Sequence, residues 1–426
     1  MSTVLAPEEL SIHTTSLLVK YKTVRAETEQ LCSPLEIEDY GIQTQPFVSP
    51  PKWHLAHTAW FFETLLLKPY FKNYKNFHPK YAELFNSYYD TIGAYHARPE
   101  RGLLSRPTVK EVYKYRAYVD QHMMALLEDV NHPYRKDIKH RTELGLNHEQ
   151  QHQELLLTDI KHIFAYNPLK PVYRNNLNTP SNKFVRPEWI SIAGGVKEIG
   201  FHGESFAYDN EGPKHKVYVN DFKIASRPVT NGEFIEFINH NAYQDSDLWL
   251  SDAWKMIQKE RWQSPLYWKS AGNEWWHMTL SGMQRIELNL PACHISFYEA
   301  AAYARWAGKR LPTEQEWEVA CAELPVEGNF RESQLLQPNS ARETQSLQQM
   351  YGDIWEWTQS SYAPYPGYHQ QSGPLGEYNG KFMSSQMVLR GGSCITPKNH
   401  IRATYRNFFY PHERWQFSGF RLADDC

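Results

Sequence analysis

From about residue 7 to residue 166 apolar side chains return every three or four positions, the repeat of helices that bury one face. Four segments carry it. Residues 7–30 and 108–131 are amphipathic, residues 52–67 open behind Pro50 and Pro51 as prolines can at a first helical turn, and the fourth segment runs from Pro133 to Tyr166. Between the second and third lies an aromatic, arginine-bearing stretch, Pro69 to Pro107, too long for an ordinary bundle loop and therefore a candidate functional excursion. Four helices with one long excursion predict a four-helix bundle over residues 1–166.

The texture then changes. Residues 167–185 are rich in Pro and Asn and read as a linker, and residues 186–426 show short alternating strands bounded by turn residues, as in 215–225. Gly and Trp cluster at 194–196, 352–357, 390–393 and 419–423, and one helix is legible, 296–308. The predicted class is α+β, with a helical domain followed by a turn-rich domain of short strands.

Composition narrows the function. At roughly 150 residues per domain, 426 residues suggest two or three domains. Lys plus Arg number 45 against 48 Asp plus Glu, a net charge of -3 without charge blocks, which argues against nucleic-acid and membrane partners and for small molecules. The 20 Phe, 27 Tyr and 14 Trp exclude a disordered chain. Five scattered cysteines form no C-x-x-C pair, so neither a disulfide framework nor a thiolate zinc site is written, and a reducing cytoplasm is expected. No apolar run reaches the length of a bilayer span, and no basic, then apolar, export signal opens the chain.

The sharpest chemical signal is NHEQQHQE, in which His148 and His152 project from one helix face a turn apart. That is metal-ligand spacing, and imidazole alone does not choose the metal. Glu154 points about 200° around the helix from His152, so a third ligand must come from elsewhere. The apolar segment WHLAHTAWFFET offers His54 and His57, and spacing does not decide between them. Three neutral imidazoles without a thiolate leave open positions on an octahedral ion, an arrangement that favours catalysis over structure.

A helix with LAH and another with H-x-x-x-H-x-E resemble the DinB-type metal-binding bundle. The strings at 209–234, 310–320, 352–358, 388–394, 402–407 and 417–423 resemble the formylglycine-generating-enzyme domain, of C-type-lectin-like fold. Their fusion is similar to the ergothioneine-biosynthesis sulfoxide synthases. The resemblance implies Fe(II) as cofactor, held by His57, His148 and His152, with His54 structural. It implies a reaction in which the sulfur of cysteine joins C2 of the trimethylated histidine hercynine and is oxidised by O2 to a sulfoxide. Gln151, Asn407, Phe408 and Phe409 match hercynine contacts, the aromatic pair suiting a quaternary ammonium. Arg98 and Arg101 match a clamp for substrate carboxylate. Tyr88 and Tyr89 match paired tyrosines that supply the proton donor for oxygen chemistry. Some members carry Asp where Phe409 stands, a residue that helps hold γ-glutamylcysteine. Its absence favours cysteine, while γ-glutamylcysteine, histidine (as in ovothiol synthesis) and selenium donors remain rival substrates. Three other classes compete: a DinB-type metal-dependent thiol transferase, a formylglycine-generating oxidase, which would need a cysteine pair where only Cys394 stands, and a lectin-like binding module. Related proteins leave self-association open.

Overall fold

The computed structural model describes residues 16–272, 274–343 and 346–426. Its first part is built on four long helices: α1 (Leu17–Cys32), α2 (Pro51–Phe62), α3 (Val109–Glu128) and α4 (Arg135–Tyr166). The part of the 7–30 segment before residue 16 lies outside the described residues. Within them α1 starts at Ser16, whose hydroxyl accepts from the Val19 N–H, the expected N-cap bond. Pro51 occupies the first turn of α2, and every residue from Pro51 to Phe62 is buried, as expected of a helix that is apolar all round. A π-helical turn, Glu63–Leu67, extends it to the end of the segment read from sequence. Thr108 and Glu111 close a capping box at the start of α3. Helix α2 packs between α3 and α4, and α1 lies on α4.

The bundle core is not wholly apolar. Glu149 of α4 is fully buried and accepts from Arg25 at 2.9 Å, Arg116 at 3.1 Å and the Thr28 hydroxyl at 2.7 Å. Burial opposes its ionisation, but the two guanidinium groups hold its carboxyl below the ordinary value.

In the second part the strands are β1 (Trp189–Ile192), β2 (Gly195–Ile199), β3 (His215–Val219), β4 (Phe222–Ala225), β5 (Trp268–Ala271), β6 (Glu274–Thr279), β7 (Gly282–Arg285), β8 (Trp355–Ser361), β9 (Met387–Arg390), β10 (Asn407–Phe409), β11 (Ser418–Gly419) and β12 (Ala423–Asp425). They pair as β1-β4-β12, β2-β3, β5-β6-β7 and β10-β9-β8-β11, all antiparallel except β8 with β11. The 215–225 stretch breaks at Asn220–Asp221 and divides between two sheets. Gly194 packs there so closely that an added Cβ would lie 2.3 Å from the Val219 carbonyl oxygen.

Besides α7 (Phe297–Trp306), the helix legible in sequence, the fold holds α5 (Asn231–Asn239), α6 (Ser251–Glu260) and α8 (Glu314–Cys321). They run eight to ten residues, and the capping boxes Thr230/Glu233 and Thr313/Glu316 mark two of their starts. Residues 167–185 run as a strap rather than a free tether: the buried Tyr173 donates its hydroxyl to Leu31 of α1 at 2.6 Å and its N–H to Leu280 at 3.0 Å.

Removing the Glu149 carboxylate takes from two buried guanidinium groups the buried counter-charge they share, leaving Arg25 to Asp120 and Arg116 to Glu29, both partly exposed. Glu149→Ala should therefore cost about 3–5 kcal/mol of unfolding free energy, measured by urea denaturation. A loss below about 1 kcal/mol would show that the network carries no such weight.

Candidate metal centre and substrate cavity

Helix α4 sets His148 and His152 one turn apart, and α2 brings His57 against them. One nitrogen from each falls within 4.8 Å of the others. The Nε2 atoms of His57 and His148 are 3.2 Å apart. His57 donates from Nδ1 to the Phe85 carbonyl at 2.6 Å, which leaves its Nε2 lone pair free.

His54 is engaged differently. Its Nε2 lies 2.9 Å from Asp159 Oδ2 and its Nδ1 lies 2.9 Å from His152 Nδ1. With the carboxylate accepting from Nε2–H, the His54 Nδ1 accepts from His152 Nδ1–H, and the His152 Nε2 lone pair is exposed. Such a carboxylate-histidine-histidine chain is the outer support that orients a metal ligand. Rings lock the rest: Trp53 stacks on His57 at 4.4 Å and Phe61 on His148 at 4.5 Å.

These residues fit a divalent transition metal. Burial holds the three imidazoles below their ordinary pKa, His148 at about 3, so that all are neutral ligands near pH 7. His148 Nδ1 is buried without a hydrogen-bond partner. Three nitrogen donors suit iron, zinc, copper or nickel better than a hard alkaline-earth ion.

The cluster opens on a cavity of about 450 Å³ whose walls come from both halves of the chain. From the excursion, Tyr88 lines it. Tyr89 lies behind, stacked on Tyr88 at 4.7 Å, with its hydroxyl buried and unpartnered. Arg98 lines the exposed side and donates to the Phe47 carbonyl. Arg101 is buried, stacks on Trp53 at 3.4 Å and donates to the Ser49 and Ser87 hydroxyls at 3.0 and 3.2 Å. Gln151 points at the second half: its amide donates to the Tyr405 hydroxyl at 2.6 Å and accepts from the Tyr378 hydroxyl. Asn407, Phe408 and Phe409 of β10 line the far wall. Phe408 gives one face to Tyr362 at 4.0 Å, and Phe409 packs edge-on against Trp415 at 5.7 Å. Glu154 turns away from the metal cluster, accepting from Trp355 at 2.5 Å and Thr396 at 2.7 Å.

Some wall residues were not read from sequence. Asp159 stands seven residues, two helical turns, beyond His152 on the same face, and that periodicity was a usable signal. Tyr378 follows a 3-10 turn, Pro374–Glu377, with no pattern to mark it, yet its ring meets that of His148 at 5.7 Å. Glu413, whose carboxyl burial pushes up to about 7, also lines the cavity.

Comparison with known proteins places each half. Residues 20–156 match the DinB superfamily, and residues 175–426 match the sulfatase-modifying factor enzyme 1-like domain. The hercynine oxygenase of Mycolicibacterium smegmatis is 30% identical over 424 residues, spanning 92% of this chain and 95% of that one. The hercynine oxygenase of Mycobacterium tuberculosis is 36% identical over 249 residues, 52% of this chain and 57% of its own. The formylglycine-generating enzyme of Streptomyces coelicolor is 28% identical over 282 residues, 56% of this chain and 89% of its own. Among solved structures, PvdO from Pseudomonas aeruginosa covers 58% of this chain at a TM-score of 0.37 and 18% identity. Fold and site thus define an α+β protein in which a DinB-like helical domain, with a histidine triad able to hold a metal, is joined to a sulfatase-modifying-factor domain. The chain belongs to the hercynine oxygenase family.

Two outcomes follow from the histidine geometry. His57→Ala should abolish stoichiometric metal binding, whereas His54→Ala should weaken it by about 10- to 100-fold, both read by competition with a chelator. The reverse order would reassign the third ligand. In the unfolded chain the imidazoles titrate near 6.5, whereas in the fold they stay neutral well below it. The unfolded chain therefore takes up protons that the folded one does not, and the metal-free protein should lose stability as pH falls below about 6.5. A urea midpoint equal or higher at pH 5.5 than at pH 7.5 would contradict this.

Proposed function

We propose that the protein is an iron(II)-dependent sulfoxide synthase of ergothioneine biosynthesis, joining the sulfur of cysteine to C2 of hercynine. The balance is one thiol, one imidazole C–H and one O2 giving one sulfoxide and one water. The observation that carries this reading is a triad of neutral imidazoles opening on a cavity whose opposite wall belongs to the other domain, in a chain related over nearly its whole length to a hercynine oxygenase. Iron, when bound, supplies oxygen activation and a seat for the thiolate. Among the described residues no helix is long and apolar enough to cross a membrane, and the reading includes a cytoplasmic location and small molecules as the partners.

The residues of the chain then divide the work. Gln151, held between Tyr378 and Tyr405, presents its amide beside the metal triad, where it would orient the hercynine imidazole. Asn407, Phe408 and Phe409 form the wall for the trimethylammonium end. Arg98 and Arg101 would fix the thiol's carboxylate, a second anchor that orients the sulfur for attack. Tyr88 is the proton donor: burial pushes its phenol up to about 12, so it keeps its proton at neutral pH. Phe409 in place of a carboxylate favours cysteine over γ-glutamylcysteine.

Purified iron-loaded protein given hercynine, cysteine and air should consume O2 and yield the sulfoxide by mass spectrometry. Histidine, γ-glutamylcysteine or a selenium donor outperforming these would reassign the substrate, and thiol transfer without O2 uptake would favour the DinB-type transferase. Tyr88→Phe should shift product from sulfoxide toward cysteine sulfinate, and Tyr89→Phe, behind it, should do so less. An unchanged ratio in Tyr88→Phe with a shifted one in Tyr378→Phe would move the donor to the second domain, a reading favoured by the contact of Tyr378 with His148.

A further inference from the structure

Two buried groups of opposite charge in the cavity wall are left incompletely bonded by the fold. Asp159 is 1% exposed, and its Oδ2 accepts from the Ser49 N–H at 2.8 Å and lies 2.9 Å from His54 Nε2. Its Oδ1 has no partner and, among the described residues, is the one buried carboxylate oxygen in that condition. Arg101 is 3% exposed, bonds two serine hydroxyls rather than a carboxylate, and keeps Nε–H buried without an acceptor. Both residues line the cavity. Burying an unmade acceptor and an unmade donor is costly unless a ligand completes them.

Ser49 sets the pair side by side. Its hydroxyl accepts from Arg101 and its N–H donates to Asp159, so that guanidinium and carboxylate are held near one another without neutralising each other. An α-amino acid carries its carboxylate and ammonium on one carbon and is the complement of such a pair. Hercynine does not qualify, because its trimethylated nitrogen has no N–H to donate.

We propose that Arg101 and Asp159 form a zwitterion clamp for the thiol co-substrate, the carboxylate on Arg101 and the α-ammonium on Asp159 Oδ1. This rests on the reading that the cavity takes a thiol, and it narrows that thiol to one with a free α-amino group. A thiol lacking the amine, or with the amine acylated, leaves Asp159 Oδ1 buried and unmatched.

The test is calorimetric titration of full-length, ferrous-loaded protein, anaerobic and saturated with hercynine, with L-cysteine, 3-mercaptopropionate and N-acetylcysteine. Wild type should bind cysteine at least about tenfold more tightly than either analogue, and Asp159→Asn should shrink that gap to within about threefold. Because Asp159 also supports His54, the ratio between thiols is the readout: damage to the metal site weakens all three alike. Equal affinities in the wild type overturn the clamp without any variant, and a gap retained in Asp159→Asn does the same. A cysteine preference in protein that makes no sulfoxide would retire the proposed reaction and leave the clamp standing.

Discussion

The structure depends on the polar contacts of α4, a helix that bonds to the bundle on one side and to the second domain on the other. Glu149 and Gln153 face the bundle, the first on Arg25 and Arg116, the second donating to Val24 and Thr28. Gln150, Gln151 and Glu154 face the second domain, bonded to Asn399, Tyr405 and Trp355. Lys161, further along, meets His294 at 2.7 Å. Rotating the helix would break charge-assisted bonds on both sides, and a buried charge stripped of its partner is among the most expensive defects a fold can carry. The face bearing His148 and His152 is thereby locked toward His57, and the metal centre inherits its geometry from contacts made on the other faces.

The same arrangement explains why the cavity lies between the two halves. The bundle supplies nitrogen donors and their outer support but little wall opposite them. The second domain supplies that wall through β10 and through Tyr378 and Tyr405. It matches a domain also found in formylglycine-generating enzymes. Cys394, standing after the RGGS string, is fully buried with its thiol pushed well up, so it is no ready nucleophile. Aromatic and amide groups, among them Asn407, Phe408 and Phe409, line its side of the cavity.

What the sequence disclosed followed the length of the signal. Long helices were legible because several turns of repeat accumulate, and Pro50 and Pro51 marked the start of one. The helices α5, α6 and α8, of nine, ten and eight residues, were not, whereas α7, also of ten, carries a run of alanines, the strongest helix former. His148 and His152 declared themselves by sharing one helix face, but the different surroundings of His54 and His57 were invisible until the partners of His54, His152 and Asp159, were in place. Tyr88 and Tyr89 are adjacent in sequence and unequal in space, one on the cavity and one behind it. Tyr378 earns its place through tertiary contact alone, which no local pattern reports, whereas Asp159 shares the helix face of His152 two turns on.

The central claim is that metal and hercynine meet across the domain boundary, the metal on the bundle and the substrate's charged end on β10. Anomalous diffraction from crystals of the iron-loaded protein grown anaerobically with hercynine tests it most directly. The account predicts one iron peak among His57, His148 and His152, the hercynine imidazole beside Gln151, and its trimethylammonium against Phe408 and Phe409. Iron held elsewhere, or hercynine bound wholly within one domain, would contradict it.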